Sequence, residues 1–409
     1  MRSCPICDRP KSALVFSLRP TPLEDSLQES EEKARNLQFY PLDLRMCGNC
    51  GHVFVSVEIP SADSYMDYHF SSATSPGLVG TMNEIAKELW FGSGASAGDR
   101  VLDIGSNDGT LLSLFQSYGA EVLGVEPSQK QADRAEQLGI RTLTSYLSED
   151  LIRTDLRAFE PKIVTIHNVL ANTPQPGDFL KMVAELCTED TLISVVTGYH
   201  PDQFAGYMFD WVYHEHLSYF SALDLSRLAE DAGLYIEKVR RLPYKGGSLQ
   251  VTLRKIPAAG HHPVGEIDAL VAWERWSDVR STVLFERISA RISANKHALL
   301  SYLDSVLDPS HTLVGYGSSH STTTLLCQFG LHESLGWLVE DNASRHGLYS
   351  PGAGLKVKPP SSLLEKDVVV VILAWQHDWR ILRRLGEIGF AGSVVRMMPE
   401  FEVISLEAS

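Results

Sequence analysis

The stretch Asp99-Arg-Val-Leu-Asp103-Ile-Gly105-Ser106-Asn107-Asp108-Gly109-Thr-Leu-Leu112 decides the fold. Its first half is an apolar run fit for a buried strand. Its middle is a glycine-bearing turn, and Leu111 to Tyr118 then reads as a helix. The next strand, Glu121 to Val125, ends at Glu126, 21 positions after Gly105. This is the geometry of a nucleotide-type cofactor site. Glycine lets the backbone approach a ligand, and an acid at the end of the second strand accepts hydrogen bonds from ribose hydroxyls. Two further apolar strands follow, one from Pro161 to Leu170 and one from Leu192 to Tyr199. Open α/β sheets bind ligands at the C-terminal edges of such strands. Asn168 lies at that edge and is a candidate cofactor contact, while His167 reads equally as a core histidine. The fold class is α/β.

The turn reads Gly-Ser-Asn-Asp-Gly rather than Gly-x-Gly-x-x-Gly. An acid inside it suits a ligand with a positive sulfonium and ammonium better than a pyrophosphate. Asp-Ile-Gly-x-x-x-Gly resembles motif I of the class I S-adenosylmethionine (SAM) methyltransferases. The candidate cofactor residues are Asp103, Gly105, Ser106, Asn107, Asp108, Gly109, Glu126, Pro127 and Asn168.

Upstream stand two C-x2-C knuckles, Cys4-Pro-Ile-Cys7 and Cys47-Gly-Asn-Cys50. Each turn aims two thiolates at one point, and four thiolates make a closed tetrahedral Zn²⁺ site with no open catalytic position. His52 ranks below the four cysteines as a ligand. The 39 residues between the knuckles include an acidic, polar stretch, Glu24 to Arg35, expected to loop out. Cys187 and Cys327 sit alone in apolar patterns and read as core thiols.

A chain of 409 residues calls for two or three domains. A net charge of -15 speaks against a nucleic-acid groove or an anionic membrane as partner. The longest apolar run, Val368 to Trp375, is too short to span a bilayer, and Met1-Arg2-Ser3-Cys4 opens no signal core. The expected location is the cytoplasm, with no obligate protein partner.

The densest chemistry lies in Phe209-Asp-Trp-Val-Tyr213-His214-Glu215-His216-Leu-Ser-Tyr-Phe-Ser221. His, Glu and Tyr are the side chains that move protons in active sites. Were the segment extended, His214 and His216 would share a face and Glu215 would point away. His-Glu-His does not match the helical H-E-x-x-H zinc spacing. Beyond it, 269–307 carries a mostly helical pattern without Gly or Pro, and then the α/β rhythm restarts. Thr312 to Tyr316 feeds a turn with Gly315 and Gly317, a helix is expected over 321–328, and Leu338 to Asn342 is a strand ending in acid. This reads as a second Rossmann-like unit, whose helix N-terminus can hold a phosphate.

Together these segments resemble the SAM-dependent C-methyltransferases that act on nucleotide-linked keto-deoxysugars. The resemblance rests on the two knuckles with Tyr40-Pro-Leu-Asp-Leu44, on Asp103 to Leu112 with Glu126-Pro-Ser128, on Tyr213 to Ser221, and on Gly315-Tyr-Gly317, Glu340-Asp341-Asn342 and Ala374-Trp375. It implies a zinc-binding module over 1–75, a SAM domain with the active-site segment over 76–255, and a nucleotide domain over 256–409. It implies an active site of Tyr213, Glu215, His216 and Tyr68, with His216 as the base that takes a proton from a carbon next to a ketone. Tyr213 or His214 is then the candidate to hold the oxyanion. It also implies substrate contacts at Lys245, Gly315, Gly317, His320 and Asp341. Two departures stand out. His-Gly-Gly-Ser-Leu-Arg of the family is Lys245-Gly-Gly-Ser-Leu-Gln250 here, and a Lys-Gly-Asn element is Ser321-Thr-Thr323. Lys245 and His320 are the candidates to replace the lost cations. O- or N-methylation of another small molecule, and a non-catalytic zinc- and SAM-binding protein, are the competing readings.

Overall fold

The computed structural model describes residues 2–59, 71–257, 266–306, 311–365 and 367–407. The chain divides into two compact units. One holds Met1–Ala13, Arg45–Asp202 and Glu215–Arg280. The other holds Leu14–Leu44, Gln203–His214 and Ser281–Ser409.

Near the N-terminus β1 (Ser12–Thr21) neighbours β2 (Tyr40–Cys47), and β3 (Val53–Val55) follows the second knuckle. The first unit then builds β4 (Arg100–Ile104), β5 (Glu121–Val125), β6 (Thr142–Leu143), β7 (Ile163–His167) and β8 (Leu192–Gly198). The short β9 (Ser218–Tyr219) pairs with β3, and β10 (Leu234–Leu242) and β11 (Ser248–Lys255) complete the set. The seven-stranded sheet runs β10-β11-β8-β7-β4-β5-β6. Its strands β6, β5, β4, β7 and β8 are parallel, and β11 is antiparallel to both neighbours. Parallel strands covered on both faces read as continuous apolar runs, and alternate residues feed two layers. Leu102, Val164 and Ile193 enter one core; Val101, Ile163 and Val196 enter the other. Strand order reverses between β4 and β7, so a crevice opens beyond their C-terminal ends. The expected helix after the glycine turn forms over Thr110–Ser117.

The second unit repeats the scheme with β12 (Thr312–Tyr316), β13 (Leu335–Val339), β14 (Val357–Lys358), β15 (Val368–Ile372), β16 (Gly392–Arg396) and β17 (Glu402–Leu406). The order is β14-β13-β12-β15-β16-β17, parallel except for β17. The helix after β12 runs His320–Phe329, with Ser319 and Thr322 closing a capping box.

One expectation changes. The stretch from Glu24 to Arg35 does not loop out. Glu24 is buried, the Gln28 N–H donates to the Tyr349 carbonyl (3.0 Å), and the Gly352 N–H donates to the Ala34 carbonyl (2.9 Å). Its polar residues have partners some 320 positions away, such as Asp25 with Arg345 at 2.9 Å, which no local pattern reveals. The mostly helical pattern over 269–307 forms, among the described residues, as two helices, Ile267–Trp276 and Thr282–Val306. They are parted at Ser277, whose ψ of 159° is extended, and at a turn over Asp278–Arg280. Arg280 donates to the Cys50 carbonyl, which fixes that turn. Among the described residues no helix is long and apolar enough to cross a membrane.

Candidate functional site

The four cysteines converge. The sulfurs of Cys4, Cys7, Cys47 and Cys50 all lie within 4.8 Å of one another, with Cys4–Cys50 and Cys7–Cys47 at 3.5 Å. A tetrahedron with Zn–S bonds of about 2.3 Å has edges of about 3.8 Å, so the donor set fits Zn²⁺. His52 is spent elsewhere: its Nδ1 lies 3.2 Å from Asp224 Oδ2. Asp224 in turn closes the capping box of the helix Ala222–Asp231 with Ser221. Arg227 and Arg280 donate to the Cys50 carbonyl.

Beyond the ends of β4, β5 and β7 lies a cavity of about 380 Å³. Asp103, Gly105, Ser106, Asn107, Glu126, Pro127 and Asn168 line it, and so does Lys245. Gly105 is required there. Its φ is +77°, and a Cβ would fall 2.2 Å from Val169 Cγ2. Gly105→Ala is therefore expected to raise the SAM dissociation constant by at least about tenfold, measured by calorimetry.

Glu126 is fixed by the turn it faces. Its two oxygens accept the N–H groups of Asn107 and Ser128, each at 2.9 Å. Burial raises its pKa. Asp103 accepts from Thr165 Oγ1 at 2.6 Å, and burial, aided by the Glu126 charge, pushes it up to about 7. Two carboxylates in one cavity wall call for a cationic ligand. The sulfonium and ammonium of SAM carry such charge. His167, deprived of water, drops to about 3 and stays neutral; its Nε2 lies 3.1 Å from Ser194 Oγ.

Asp108 and Gly109 do not line the cavity among the described residues. The Asp108 carboxylate accepts from Ser71 Oγ, from the Ala73 N–H (3.0 Å) and from Thr110 Oγ1 (2.6 Å). It ties the chain at 71–73 to the turn, and Asn107 does the same by accepting from the Ser72 N–H at 3.0 Å. Ser72 thereby joins the wall. Nothing in the spacing of Ser71-Ser72 announces this. Tyr68 lies outside the described residues.

The dense stretch is not extended. Phe209–Trp211 is one 3-10 turn, His214 and Glu215 sit at a second turn, and β9 follows. Its first part belongs to the second unit. There Asp210 accepts from Trp375 Nε1 (3.0 Å) and Gln376 Nε2 (2.8 Å), and burial pushes it up to about 7. His214 is buried with Nδ1 2.9 Å from Glu24 Oε1 and Nε2 3.2 Å from the Pro41 carbonyl. Burial works against its charge, but Glu24 and the carbonyls outweigh it and raise the pKa. The Tyr213 ring stands 5.2 Å from that of His320. In the first unit Glu215 and His216 are half-buried, and the His216 ring meets Tyr219 edge-on at 6.2 Å. Neither is among the residues lining the cavity.

The second unit copies the carboxylate device. Glu340, after β13, accepts the N–H groups of Ser318 (2.9 Å) and Asn342 (3.1 Å), as Glu126 does after β5. Gly317 has φ +123°, and a Cβ there would meet the Ala374 nitrogen at 2.8 Å. Gly315 is a packing glycine, 2.5 Å from Leu373 Cδ1 by the same measure. Asp341 accepts from the Tyr316 hydroxyl, and His320 Nε2 lies 3.8 Å from Asp25.

A doubly wound sheet with one reversed strand, a cation-seeking cavity at its switch point and a four-thiolate centre define a SAM-dependent methyltransferase with structural zinc. Three family models match in succession: a zinc binding domain over 4–65, a methyltransferase domain over 82–239 and a C-methyltransferase C-terminal domain over 243–399. With these three parts in this order, the chain is a SAM-dependent C-methyltransferase. C-methyltransferase NovU of Streptomyces niveus is 26% identical over 414 residues, 99% of this chain and 97% of that protein. The ubiquinone biosynthesis O-methyltransferase of Aeromonas salmonicida (strain A449) is 24% identical over 40% of this chain and 74% of that protein. Magnesium protoporphyrin IX methyltransferase of Synechocystis PCC 6803, solved with bound SAM, covers 44% of this chain and 80% of its own at 18% identity and a TM-score of 0.33.

Proposed function

We propose that the acceptor is a nucleotide-linked keto-deoxysugar, methylated on a carbon next to its ketone. The observation that supports this acceptor best is the second parallel sheet. Its strand order reverses between β12 and β15, and the Gly317 turn and the anchored Glu340 lie at that point. A switch point of this kind suits a nucleotide, with Gly315, Gly317, His320 and Asp341 as its contacts.

SAM supplies an already activated methyl group. The protein must position the acceptor and make its carbon nucleophilic. A C–H next to a ketone is weakly acidic, so a base is needed. His216 takes the proton, Glu215 orients a sugar hydroxyl, and Tyr213 hydrogen-bonds the acceptor. Asp103, Gly105, Ser106, Asn107, Glu126, Pro127 and Asn168 hold the donor.

One test uses SAM carrying a ¹³C-methyl group and a panel of nucleoside diphosphate keto-deoxysugars. NMR should place the label on carbon. Label on oxygen or nitrogen, or turnover restricted to acceptors without a nucleotide, would overturn the proposal.

A second expectation concerns pH. Asp103 must ionise to face a cation, so SAM binds the deprotonated form better. Affinity should rise from pH 5.5 to 7.5, by about tenfold at most per pH unit, as Asp103, near 7 in the free state, ionises. Asp103→Asn should bind more weakly and with a smaller slope. Calorimetry across that range checks both.

A further inference from the structure

Among the described residues lining the donor cavity, Lys245 is the sole lysine or arginine. It stands on the tight turn between β10 and β11, next to Tyr244, whose hydroxyl lies 3.4 Å from Asn168 Nδ2. The turn is built in an unusual backbone state. Lys245 has φ +53°, and Gly246 and Gly247 follow at +69° and +129°. A Cβ at Gly247 would fall 2.4 Å from the Asp202 Cβ, so the turn is pressed close on that side as well. Six described non-glycine residues have positive φ, and three of them, Asn107, Asn168 and Lys245, line this one cavity. Asparagine enters the left-handed region with help from its own short amide; lysine has no such help. Strain of this kind persists where the surroundings enforce it, and it gathers at functional sites.

We infer that Lys245 is a catalytic residue, whose ammonium holds the acceptor oxygen on which negative charge builds as the neighbouring carbon loses its proton. This rests on the reading of the reaction given above. The base takes the proton, and the C–H electron pair moves toward the carbonyl oxygen, where the ammonium stabilises it. The pair then returns to form the new C–C bond as the S–CH₃ bond breaks, its electrons staying on sulfur. Lys245 keeps its proton throughout, and the base releases its own to water.

Charge favours this assignment over a remote phosphate contact. An ammonium and a sulfonium in one cavity repel each other. The repulsion is relieved as sulfur becomes neutral, so it weakens the ground state more than the transition state. Protein crowding around the amine lowers its pKa to about 8, so the ammonium still prevails at neutral pH. The other titratable groups of the wall are Asp103, Glu126, Tyr146, His167 and Asp178.

The test uses full-length zinc-loaded protein with Lys245→Met and Lys245→Arg. First, affinities for SAM and for its neutral product are measured by calorimetry from pH 6 to 9.5. In the wild type the ratio should move in favour of SAM by about fivefold as pH rises through about 8. In both variants the ratio should change only below about pH 7.5, where Asp103 ionises, and stay flat above it. Second, exchange of the acceptor's carbon-bound proton into D₂O is followed by NMR with product-bound enzyme and the keto-deoxysugar panel. Lys245→Met should slow both exchange and methylation by roughly 10²- to 10³-fold. Lys245→Arg should keep both within about tenfold and lose the alkaline fall in rate. Product affinity near wild type shows that a variant is folded. If Lys245→Met fails that check, the alkaline limb of Lys245→Arg decides. A rise of the ratio through about pH 8 that persists in the variants, or normal exchange by Lys245→Met, overturns the assignment alone. Methylation by the wild type without any carbon-proton exchange overturns the enolate reading and this assignment with it.

Discussion

Replacing Cys47 or Cys50 by Ser, or stripping zinc with a strong chelator, is expected to abolish methyl transfer and to lower the melting temperature by more than about 10 °C. Structural zinc contributes on the order of 10 kcal/mol to small modules that depend on it. Here the effect should extend past the knuckles. β3 follows the second knuckle directly and pairs with β9, Val53 opposite Tyr219 and Phe54 opposite Ser218. The Val55 N–H donates to the Leu217 carbonyl at 3.2 Å. Arg227 and Arg280 hold the Cys50 carbonyl, and His52 faces Asp224, which caps the helix after Ser221. The metal thus stiffens the chain that carries His216. Circular dichroism melting with and without chelator, beside a methylation assay, checks the result. A chelated protein that melts as before and still turns over would show the thiolates to be metal-free bystanders.

His216→Asn is expected to bind SAM within about twofold of wild type and to methylate roughly 10²- to 10⁴-fold more slowly. The side chain is half-buried beside Tyr219 and is not among the residues lining the donor cavity, so its removal should spare the donor. His214→Asn should behave differently. It leaves Glu24 buried without its cationic partner, and breaking such a pair costs about 3–5 kcal/mol of stability. The two neighbouring histidines are therefore separable. One variant should lose rate at full stability, and the other should lose stability first. Equal turnover by His216→Asn and the wild type would remove His216 from the chemistry.

Much of this was legible because it is local. A strand, a positive-φ glycine and an acid after the next strand are consecutive features, and the wall from Asp103 to Glu126 follows from them. The knuckles are legible for the same reason, since each pair is one turn. What escaped depends on distant partners. Asp108 sits inside the cofactor turn in sequence, yet its charge goes to Ser71, Ala73 and Thr110. Glu24 looked like part of an exposed acidic run and proved to be the buried partner of His214. The break at Ser277 carries no Gly or Pro; it follows from where Arg280 is held. Lys245 stood out only as a departure from a motif, and its place in the donor cavity needed the turn geometry.

The division of the chain into interleaved segments has a consequence for how the protein is made. Both zinc-binding pairs leave the ribosome more than two hundred residues ahead of Ser281, so the metal can close the base of a loop early. That loop, Leu14–Leu44, belongs to the second unit, most of which begins at Ser281. At about 5–20 residues per second, the loop waits some tens of seconds for Arg345, Tyr349 and Gly352, the residues that bond to Asp25, Gln28 and Ala34. A chain ended at Arg280 would keep Asp25, Gln28 and Ala34 without those partners permanently, so the first unit should not express cleanly without the second.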